Sequence, residues 1–244
     1  MDNALMVGLS RQITLRRAVD VTANNVANAS TAGFKAERVL LEANGTNRAR
    51  HADGPSQLHF ADEWGLGRDF AQGALDHTGR PLDLAIQGDG FFTLETDAGE
   101  RYTRDGRFTI SPEGELVAAD GARVLDEAGQ PILIDPAAGP VTISEEGAIT
   151  QDGVALGRVG VVEFDNRGAL EKRGQNRFSA PENAEPAPAA AAVVRQGYTE
   201  SSNVSAISEI TRMIEVSGAY QSVTKMIQQT EELSRQAIER LGRP

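Results

Sequence analysis

Few side chains in this sequence have the types and spacing that catalysis or metal binding requires. His51 and His59, with Asp53 between them, come nearest to a metal site, but their spacing matches no established zinc-ligand pattern. Gly88-Asp89-Gly90 precedes two phenylalanines rather than a helix, so it is not a dinucleotide-binding fingerprint. The 244 residues include no cysteine, which excludes disulfides, thiolate metal ligands and a cysteine nucleophile.

The carboxylates are numerous, but most accompany glycines at predicted turns, where Asp and Glu are favoured for conformational reasons. No phosphate-binding loop and no serine nucleophile motif occurs in the sequence. The sequence therefore predicts that the protein is not an enzyme and has no cofactor and no metal site.

The charge is distributed unevenly along the chain. The formal net charge is −11, and residues 51–195 carry twelve basic groups against 25 acidic ones. Nucleic-acid binding requires clustered Lys and Arg, so this acidic centre predicts no nucleic-acid partner. No stretch has the length of a transmembrane helix, and Arg11, Arg16 and Arg17 interrupt any secretory apolar segment. We therefore expect no direct membrane insertion and, if the protein is exported, export without a cleaved signal peptide.

The longest periodic pattern runs from Ser201 to Leu241 and predicts one amphipathic helix. Ser201, Ser202 and Asn203 are its candidate N-caps. Its apolar and small residues recur three and four apart, which is the spacing of a coiled-coil seam. The seam residues are Met213, Val216, Tyr220, Val223, Ile227, Thr230, Ser234, Ala237 and Leu241.

Two further features of this helix concern its contacts. Ile207, Ile210 and Ile214 are expected to widen the stripe at its start, and Gly218 is a small mid-helix residue that allows another helix to approach closely. At 1.5 Å per residue the helix would be roughly 60 Å long, so much of it would extend beyond a compact domain. Two interpretations remain open: the helix packs on its own domain, or it completes its packing in an assembly.

Residues 4–27 predict a second amphipathic helix, with Leu5, Leu9 and Ile13 on one face and Val19 continuing it. Near its end the side chains of three asparagines compete for backbone groups and weaken the helix. Gly33 suits a left-handed position after the helix, and Phe34 follows it. The cluster either ends the helix or bonds neighbouring subunits, and spacing alone does not decide between these; its members are Asn24, Asn25 and Asn28.

The centre of the chain predicts β structure. Residues 36–80 read as an irregular connecting segment broken by glycines, and residues 81–180 as short strands joined by tight turns. Asp105-Gly106 predicts a two-residue hairpin. Thr109–Gly114 is echoed by Thr142–Gly147, which suggests a repeated β unit.

These elements together predict an α+β fold. It consists of long N- and C-terminal helices with an all-β domain inserted between them. The predicted segments are an N-terminal helix and Asn-rich turn (1–35), the irregular segment (36–80), the β domain (81–180), a Pro/Ala-rich loop (181–197) and the C-terminal helix (198–244).

Both ends of the chain resemble one known family. Ala23–Asn28 with Thr31–Lys35 is similar to the N-terminal signature of the flagellar basal-body rod and hook proteins, although Ala32 stands where the family often has Pro. Gln196–Val204, with Met213-Ile214 and Ala219-Tyr220, resembles their C-terminal signature. The opening residues 1–12 are most similar to those of the proximal-rod member of the family, with the distal-rod member as the alternative.

The resemblance implies a structural subunit that stacks helically with copies of itself and with other proximal and distal rod subunits. It also implies that the long N- and C-terminal helices pair in a coiled-coil-like core, with the all-β domain inserted between them. In that family the shaft transmits motor torque to the hook and filament for motility, and subunits are exported through the flagellar export apparatus. The resemblance thus implies a place in the basal body, in the periplasmic space. Two other classes remain possible: a β-domain binding module, which predicts an exposed aromatic or apolar patch on residues 81–180, and a peptidoglycan-acting enzyme, which requires a carboxylate pair in a cleft.

Overall fold

The computed structural model describes residues 2–47, 58–181 and 183–241, with side chains described for residues 5–40, 65–181 and 183–240. The chain forms two compact units. The terminal unit comprises the described parts of Met1–Ala27, Glu37–Asp69 and Ser205–Pro244. The central unit comprises Asn28–Ala36 and the described parts of Phe70–Val204.

The described part of the terminal unit consists of two helices and a pair of strands. Its elements are α1 (Asp2–Ala27), β1 (Glu37–Asn47), β2 (Leu58–Arg68) and α2 (Ala206–Leu241). Strands β1 and β2 are antiparallel. The expectation of an irregular segment after residue 36 is therefore wrong for this part of the chain. Glycines such as Gly65 and Gly67 interrupt the alternation of side chains, but they leave the backbone free to pair, with local shifts of register.

The N-terminal helix matches its prediction, whereas the C-terminal helix begins at Ala206, five residues later than expected. The candidate caps have other partners. Asn203 accepts a hydrogen bond from the Ala36 backbone N–H at 2.8 Å and donates one to the Ala71 carbonyl at 3.1 Å. The Ser202 hydroxyl accepts the backbone N–H of Val204 at 3.2 Å. These side chains stabilise the turn that precedes the helix and do not cap its first residues.

The central unit is built from short strands. A 3₁₀ turn, Arg167–Ala169, lies among them. The strands are β3 (Leu75–His77), β4 (Leu84–Gln87), β5 (Phe91–Thr96), β6 (Gly99–Thr103), β7 (Phe108–Ile110), β8 (Leu116–Ala118), β9 (Arg123–Val124), β10 (Val141–Ile143), β11 (Ala148–Gln151), β12 (Val154–Arg158), β13 (Val161–Glu163), β14 (Glu171–Lys172), β15 (Arg177–Ser179), β16 (Ala187–Pro188), β17 (Val193–Gln196) and β18 (Tyr198–Glu200).

The largest sheet has nine strands and follows the order β14-β15-β6-β5-β9-β8-β7, with β13 pairing β5 and β16. A three-stranded sheet has the order β10-β11-β12, and two strand pairs, β17-β4 and β18-β3, complete the unit. The expected Pro/Ala-rich loop therefore contains β16 and β17. Its apolar residues include Val194, which is buried and pairs with Ile86.

Two apolar clusters fill the central unit. The larger one contains Phe92, Leu94 and Ile149, none of which is exposed to solvent. The smaller one is aromatic, and in it Tyr102 and Phe164 meet edge-on with ring centroids 4.8 Å apart. Burial of this kind stabilises a domain without help from a partner.

Asp105-Gly106 does not form the predicted hairpin. Strand β6 pairs with β5 and β15, whereas β7 pairs with β8. The Leu84 backbone N–H donates to the Gly106 carbonyl at 2.9 Å, and a Cβ at Gly106 would lie 1.7 Å from the Leu84 carbonyl oxygen. Glycine is present because another strand passes close to this backbone.

The predicted internal repeat is confirmed. In the β7–β8 hairpin the Ser111 N–H donates to the Glu115 carbonyl at 2.8 Å, and Gly114 has a positive φ of 87°. In the β10–β11 hairpin the Ser144 N–H donates to the Ala148 carbonyl at 2.9 Å, and Gly147 has a φ of 83°. The same turn residues thus form the same turn twice.

Candidate assembly site

The two helices of the terminal unit contact each other along one side and run in opposite directions. The Gln12 side chain donates to the Thr224 hydroxyl at 3.0 Å, and Asn25 donates to the Glu209 carboxylate at 3.1 Å. A Cβ placed on Gly8 would lie 3.1 Å from the Ile227 side chain. The contacts bring the start of α1 beside the middle of α2 and the end of α1 beside the start of α2.

The face of α2 that meets α1 is the predicted seam. Its members are half-buried, and Glu209 on the same side is buried. The described seam residues are Met213, Val216, Tyr220, Val223, Ile227, Thr230, Ser234 and Ala237, while the side chain of Leu241 lies outside the described residues.

The predicted widening of this stripe by three isoleucines is wrong. Ile207, Ile210 and Ile214 are 81%, 46% and 69% exposed. At 100° per residue the centre of the three lies roughly 120° round the helix from the neighbouring seam residues. The spacings of three and four residues place these isoleucines on one face of the helix. That face is not the seam, because the seam residues begin at a different angle around the helix axis.

The predicted face of α1 is also only partly covered. Leu5 and Val19 are half-buried, but Leu9 is 49% exposed and Ile13 is 61% exposed. The residues that α1 buries are mostly small or polar. They are Gly8, Thr14, Leu15, Val21, Thr22 and Asn25.

The two threonines of that buried face have partners within their own helix. The hydroxyls of Thr14 and Thr22 donate to the carbonyls four residues earlier, at 2.9 Å and 2.8 Å. Because these hydroxyls are hydrogen-bonded, small polar residues can be buried where the sequence pattern favoured leucine and isoleucine.

The asparagine cluster makes hydrogen bonds within the chain. Asn25 is buried, its amide donates to the Glu37 carbonyl at 2.8 Å, and its carbonyl accepts the Glu37 N–H at 3.0 Å. Asn24 donates to the Glu37 carboxylate at 3.3 Å. These bonds tie the end of α1 to the start of β1. Asn28 accepts the Thr31 hydroxyl at 3.1 Å and belongs to the turn that follows.

The two terminal signatures meet in the central unit at a buried carboxylate. Glu200 accepts hydrogen bonds from Lys35 Nζ at 2.6 Å, from Arg104 at 3.1 Å and from the Gly73 backbone N–H at 3.0 Å. All three ionised side chains are at most 2% exposed. Burial lowers the pKa of Arg104, and the adjacent Glu200 carboxylate acts in the opposite direction. A buried carboxylate that binds two cations is costly to disrupt.

Gly33 shapes the turn beside this cluster. Its φ is +65°, and a Cβ would lie 2.5 Å from the Arg104 carbonyl carbon. The prediction of a left-handed glycine is thus confirmed. The absence of a side chain at Gly33 also lets the Arg104 backbone lie close to this turn. Phe34 is buried, with the Lys172 ammonium 4.5 Å from its ring centroid.

Sequence reasoning missed the cluster of Lys35, Arg104 and Glu200. Lys35 lies in the N-terminal signature and Glu200 in the C-terminal one, and each is the charged residue of an otherwise neutral motif. That pair of opposite charges was the signal that the sequence offered. Arg104 lies in a predicted strand and carried no signal. The residues that came nearest to a metal site in the sequence lie outside the described part of the structure. They are His51, Asp53 and the side chain of His59.

Comparison with known proteins agrees with this architecture. The family described as "Flagella basal body rod protein" matches residues 5–35, "Flagellar hook protein FlgE/F/G D1 domain" matches residues 85–151, and "Flagellar basal body rod FlgEFG protein C-terminal" matches residues 195–240. The chain is 49% identical to the flagellar basal-body rod protein FlgF of Caulobacter vibrioides, over 100% of this chain and 99% of that protein.

The chain belongs to the flagellar basal-body rod protein family. It is also 37% identical to FlgF of Mesorhizobium japonicum, over 99% of each protein, and 32% identical to FlgG of Bacillus subtilis, over 98% of each. The resemblance of both ends to this family is therefore confirmed, and the chain is a structural protein of the flagellar rod, of the proximal-rod type. Among the described residues, no helix is long and apolar enough to cross a membrane.

Proposed function

We propose that this rod subunit builds the proximal part of the flagellar drive shaft through its terminal unit, while its central unit is a rigid module that folds by itself. The observation that carries the rod function is the 49% identity to FlgF over the whole of both chains. Support for the division of labour comes from burial, because the large apolar side chains left exposed on the helices contrast with the filled core of the central unit.

The helices supply the mechanical property that a shaft requires. Close-packed protein interiors are little compressible, so helices packed side by side resist torsion. Subunits that join through different surfaces in a repeating, non-closing contact form helical tubes. We infer that the α1–α2 pair adopts a coiled-coil-like geometry in such a tube, with the neighbouring subunits covering the faces that one chain leaves exposed.

Location and export complete the proposal. Members of the rod family are basal-body proteins, and we infer a position in the periplasmic part of the shaft. The chain would arrive there through the flagellar export apparatus without cleavage of a signal peptide. Its partners are copies of itself and the other rod subunits.

The binding-module alternative predicts an exposed aromatic or apolar patch on residues 81–180. Leu133 and Val154 are exposed in that range, but every aromatic residue there is buried, which counts against an aromatic patch. The aromatic residues are Phe91, Phe92, Tyr102, Phe108, Phe164 and Phe178.

The test is quantitative mass spectrometry of purified basal bodies, stripped of filament and loosely bound protein. We expect this chain at a fixed, low ratio to the other rod subunits, with an intact N-terminal peptide. A ratio several times higher would point to the distal rod, which the 32% identity to FlgG keeps as the second candidate. Absence from the basal body would contradict the proposal.

A further inference from the structure

A small cleft lies between α1, β1 and α2 in the terminal unit, with a volume of about 160 Å³. Buried residues line it, among them Thr14 and Val21. Three exposed arginines also line it, one from each element: Arg11, Arg38 and Arg212. Pockets for small molecules are usually larger, roughly 300–1,000 Å³, so this arginine cleft suits a side chain and not a cofactor.

The three arginines of the arginine cleft are unpaired in the described structure. Among the residues that the structure describes, none accepts a hydrogen bond from their side chains and none forms an ion pair with them. In the central unit, by contrast, most arginines pair with a carboxylate, as Arg123 does with Glu95 at 3.0 Å and Arg158 with Glu127 at 3.2 Å. The three guanidinium groups are therefore free to bind an anion that the described part of the terminal unit does not supply.

The two carboxylates that also line the arginine cleft have other partners. Glu209 accepts a hydrogen bond from the Asn25 amide at 3.1 Å. Glu37 accepts one from Asn24 at 3.3 Å and lies 3.4 Å from Arg68 Nε. Both carboxylates belong to buried residues, whereas the three arginines are exposed. With Arg68 included, four arginines face two carboxylates, so this part of the terminal unit has a net charge of +2.

The complementary charge lies in the sequence of the central unit. Residues 28–36 and 70–204 include 22 acidic side chains and twelve basic ones, a net charge of −10. The remaining residues, which form the terminal unit, include thirteen acidic and twelve basic side chains, a net charge of −1. Arginine binds carboxylates through two parallel N–H donors, so the acidic central unit has the chemistry that the arginine cleft recognises.

We propose that the arginine cleft of one subunit binds carboxylates on the central unit of a neighbouring copy of this chain. The proposal rests on the proposed rod function, which brings copies of the chain together. A second copy is the occupant because its central unit has the surplus of negative charge that matches the cleft. Exposed ion pairs contribute little free energy, so this contact acts mainly by selecting the partner surface and its orientation.

The scarcity of lysine in the sequence allows a direct test. Its three lysines are Lys35, which is buried, Lys172 and Lys225. Arg212→Lys and Arg38→Lys are made separately, each keeping the positive charge, and purified basal bodies are treated with a carbodiimide. This reagent joins a lysine amine directly to a carboxylate that touches it, without a spacer. The linked peptides are then identified by mass spectrometry.

We expect each variant to form a covalent dimer of this chain that the wild type does not form, with the introduced lysine joined to an Asp or Glu within residues 70–204. The matched control is Arg16→Lys. Arg16 is exposed on the same helix as Arg11 and has no carboxylate partner among the described residues, but it does not line the arginine cleft. The control should form no link to a central unit.

Other outcomes separate this contact from the rod function. If the variants are present in basal bodies at the wild-type ratio but neither is linked to a central unit, the contact is wrong and the rod function stands. The contact is likewise wrong if the links lie within one chain, join only terminal units or capture a different protein. Exclusion of both variants from basal bodies would also contradict it, because lysine keeps the charge on which the contact depends. If the wild-type chain is missing from basal bodies, both proposals fail.

Discussion

The central and terminal units stabilise themselves in different ways. In the central unit, large apolar side chains such as Phe92 and Ile149 are fully buried, and even the charged group Glu200 is enclosed by its partners. In the terminal unit, Ile214 is 69% exposed, Leu233 65% and Ile238 70%. The difference supports the proposal that the terminal unit completes its packing when other subunits are added, whereas the central unit is packed within one chain.

The polar groups show the same contrast. Glu200 binds Lys35, Arg104 and the Gly73 N–H inside the central unit. The outer surface of α2 carries charges of both signs. One example is the ion pair between Glu232 and Arg235, whose charged atoms are 2.6 Å apart and whose side chains are both exposed to solvent. Buried ion pairs are costly to break and exposed ones are worth little, so equal changes of charge should have unequal effects in the two regions.

The largest expected effect is from Glu200→Ala. This substitution leaves the buried Lys35 and Arg104 cations without their carboxylate, and we expect a loss of about 3–5 kcal/mol of stability in the central unit. The measurement is urea unfolding followed by circular dichroism. Glu171→Ala is the control, because the Glu171–Arg173 pair is exposed and its loss should cost less than about 1 kcal/mol. Equal losses would contradict the distinction between buried and exposed pairs.

A matched pair of isoleucines tests the comparison more directly. Ile149→Ala removes a fully buried side chain and should cost about 2–5 kcal/mol in the unfolding of the purified chain. Ile214→Ala should leave that stability almost unchanged because the side chain is 69% exposed. In cells grown at a permissive temperature, where part of the Ile149→Ala chain is folded, the order of the two effects should reverse. The folded Ile149→Ala chain should still assemble, whereas Ile214→Ala should reduce swimming in soft agar. Full motility of Ile214→Ala would show that this side chain does not contribute to the subunit interface.

Ile227→Asp tests the seam between the helices. The side chain is half-buried beside Gly8, and a carboxylate there loses apolar contact and gains no partner in the described structure. We expect loss of assembly and motility with an unchanged melting temperature of the central unit. Gln228→Asp, an exposed change on the next residue, is the control and should swim normally.

Substitutions of Gly218 should have only a small effect in the free chain. No heavy atom beyond its immediate neighbours lies within 4 Å of a Cβ built there, so Gly218→Ala should stabilise α2 by about 0.5–1 kcal/mol. We expect Gly218→Leu to be tolerated by the monomer but to block assembly, because a small residue admits a neighbouring helix. Wild-type motility of Gly218→Leu would show that no helix approaches at this position.

The sequence was sufficient for the helices, the β centre and the repeated turn, because each depends on local spacing or turn chemistry. It was insufficient where contacts distant along the chain decided the outcome. Asp105-Gly106 lacks its hairpin because the Leu84 backbone passes beside it. Glu37–Asn47 and Leu58–Arg68 form paired strands whose glycines hid the strand pattern.

For the candidate site, periodicity identified the α2 seam but misplaced Ile207, Ile210 and Ile214. It also favoured Leu9 and Ile13 over the small residues that α1 buries. An apolar residue at helical spacing indicates a surface that requires a partner, but it does not indicate whether the partner is in the same chain. The Glu200 cluster required coordinates, since Lys35, Arg104 and Glu200 are far apart in sequence.

Amide hydrogen exchange on the purified monomer, resolved by mass spectrometry of peptides, tests the central claim most directly. We expect strong protection in strands such as β5 and β11 and much faster exchange along α1 and α2, most of all in the second half of α2, where Leu233 and Ile238 are exposed. Protection of both helices equal to that of the central strands, in a preparation shown to be monomeric, would contradict the claim that neighbouring subunits complete the terminal unit.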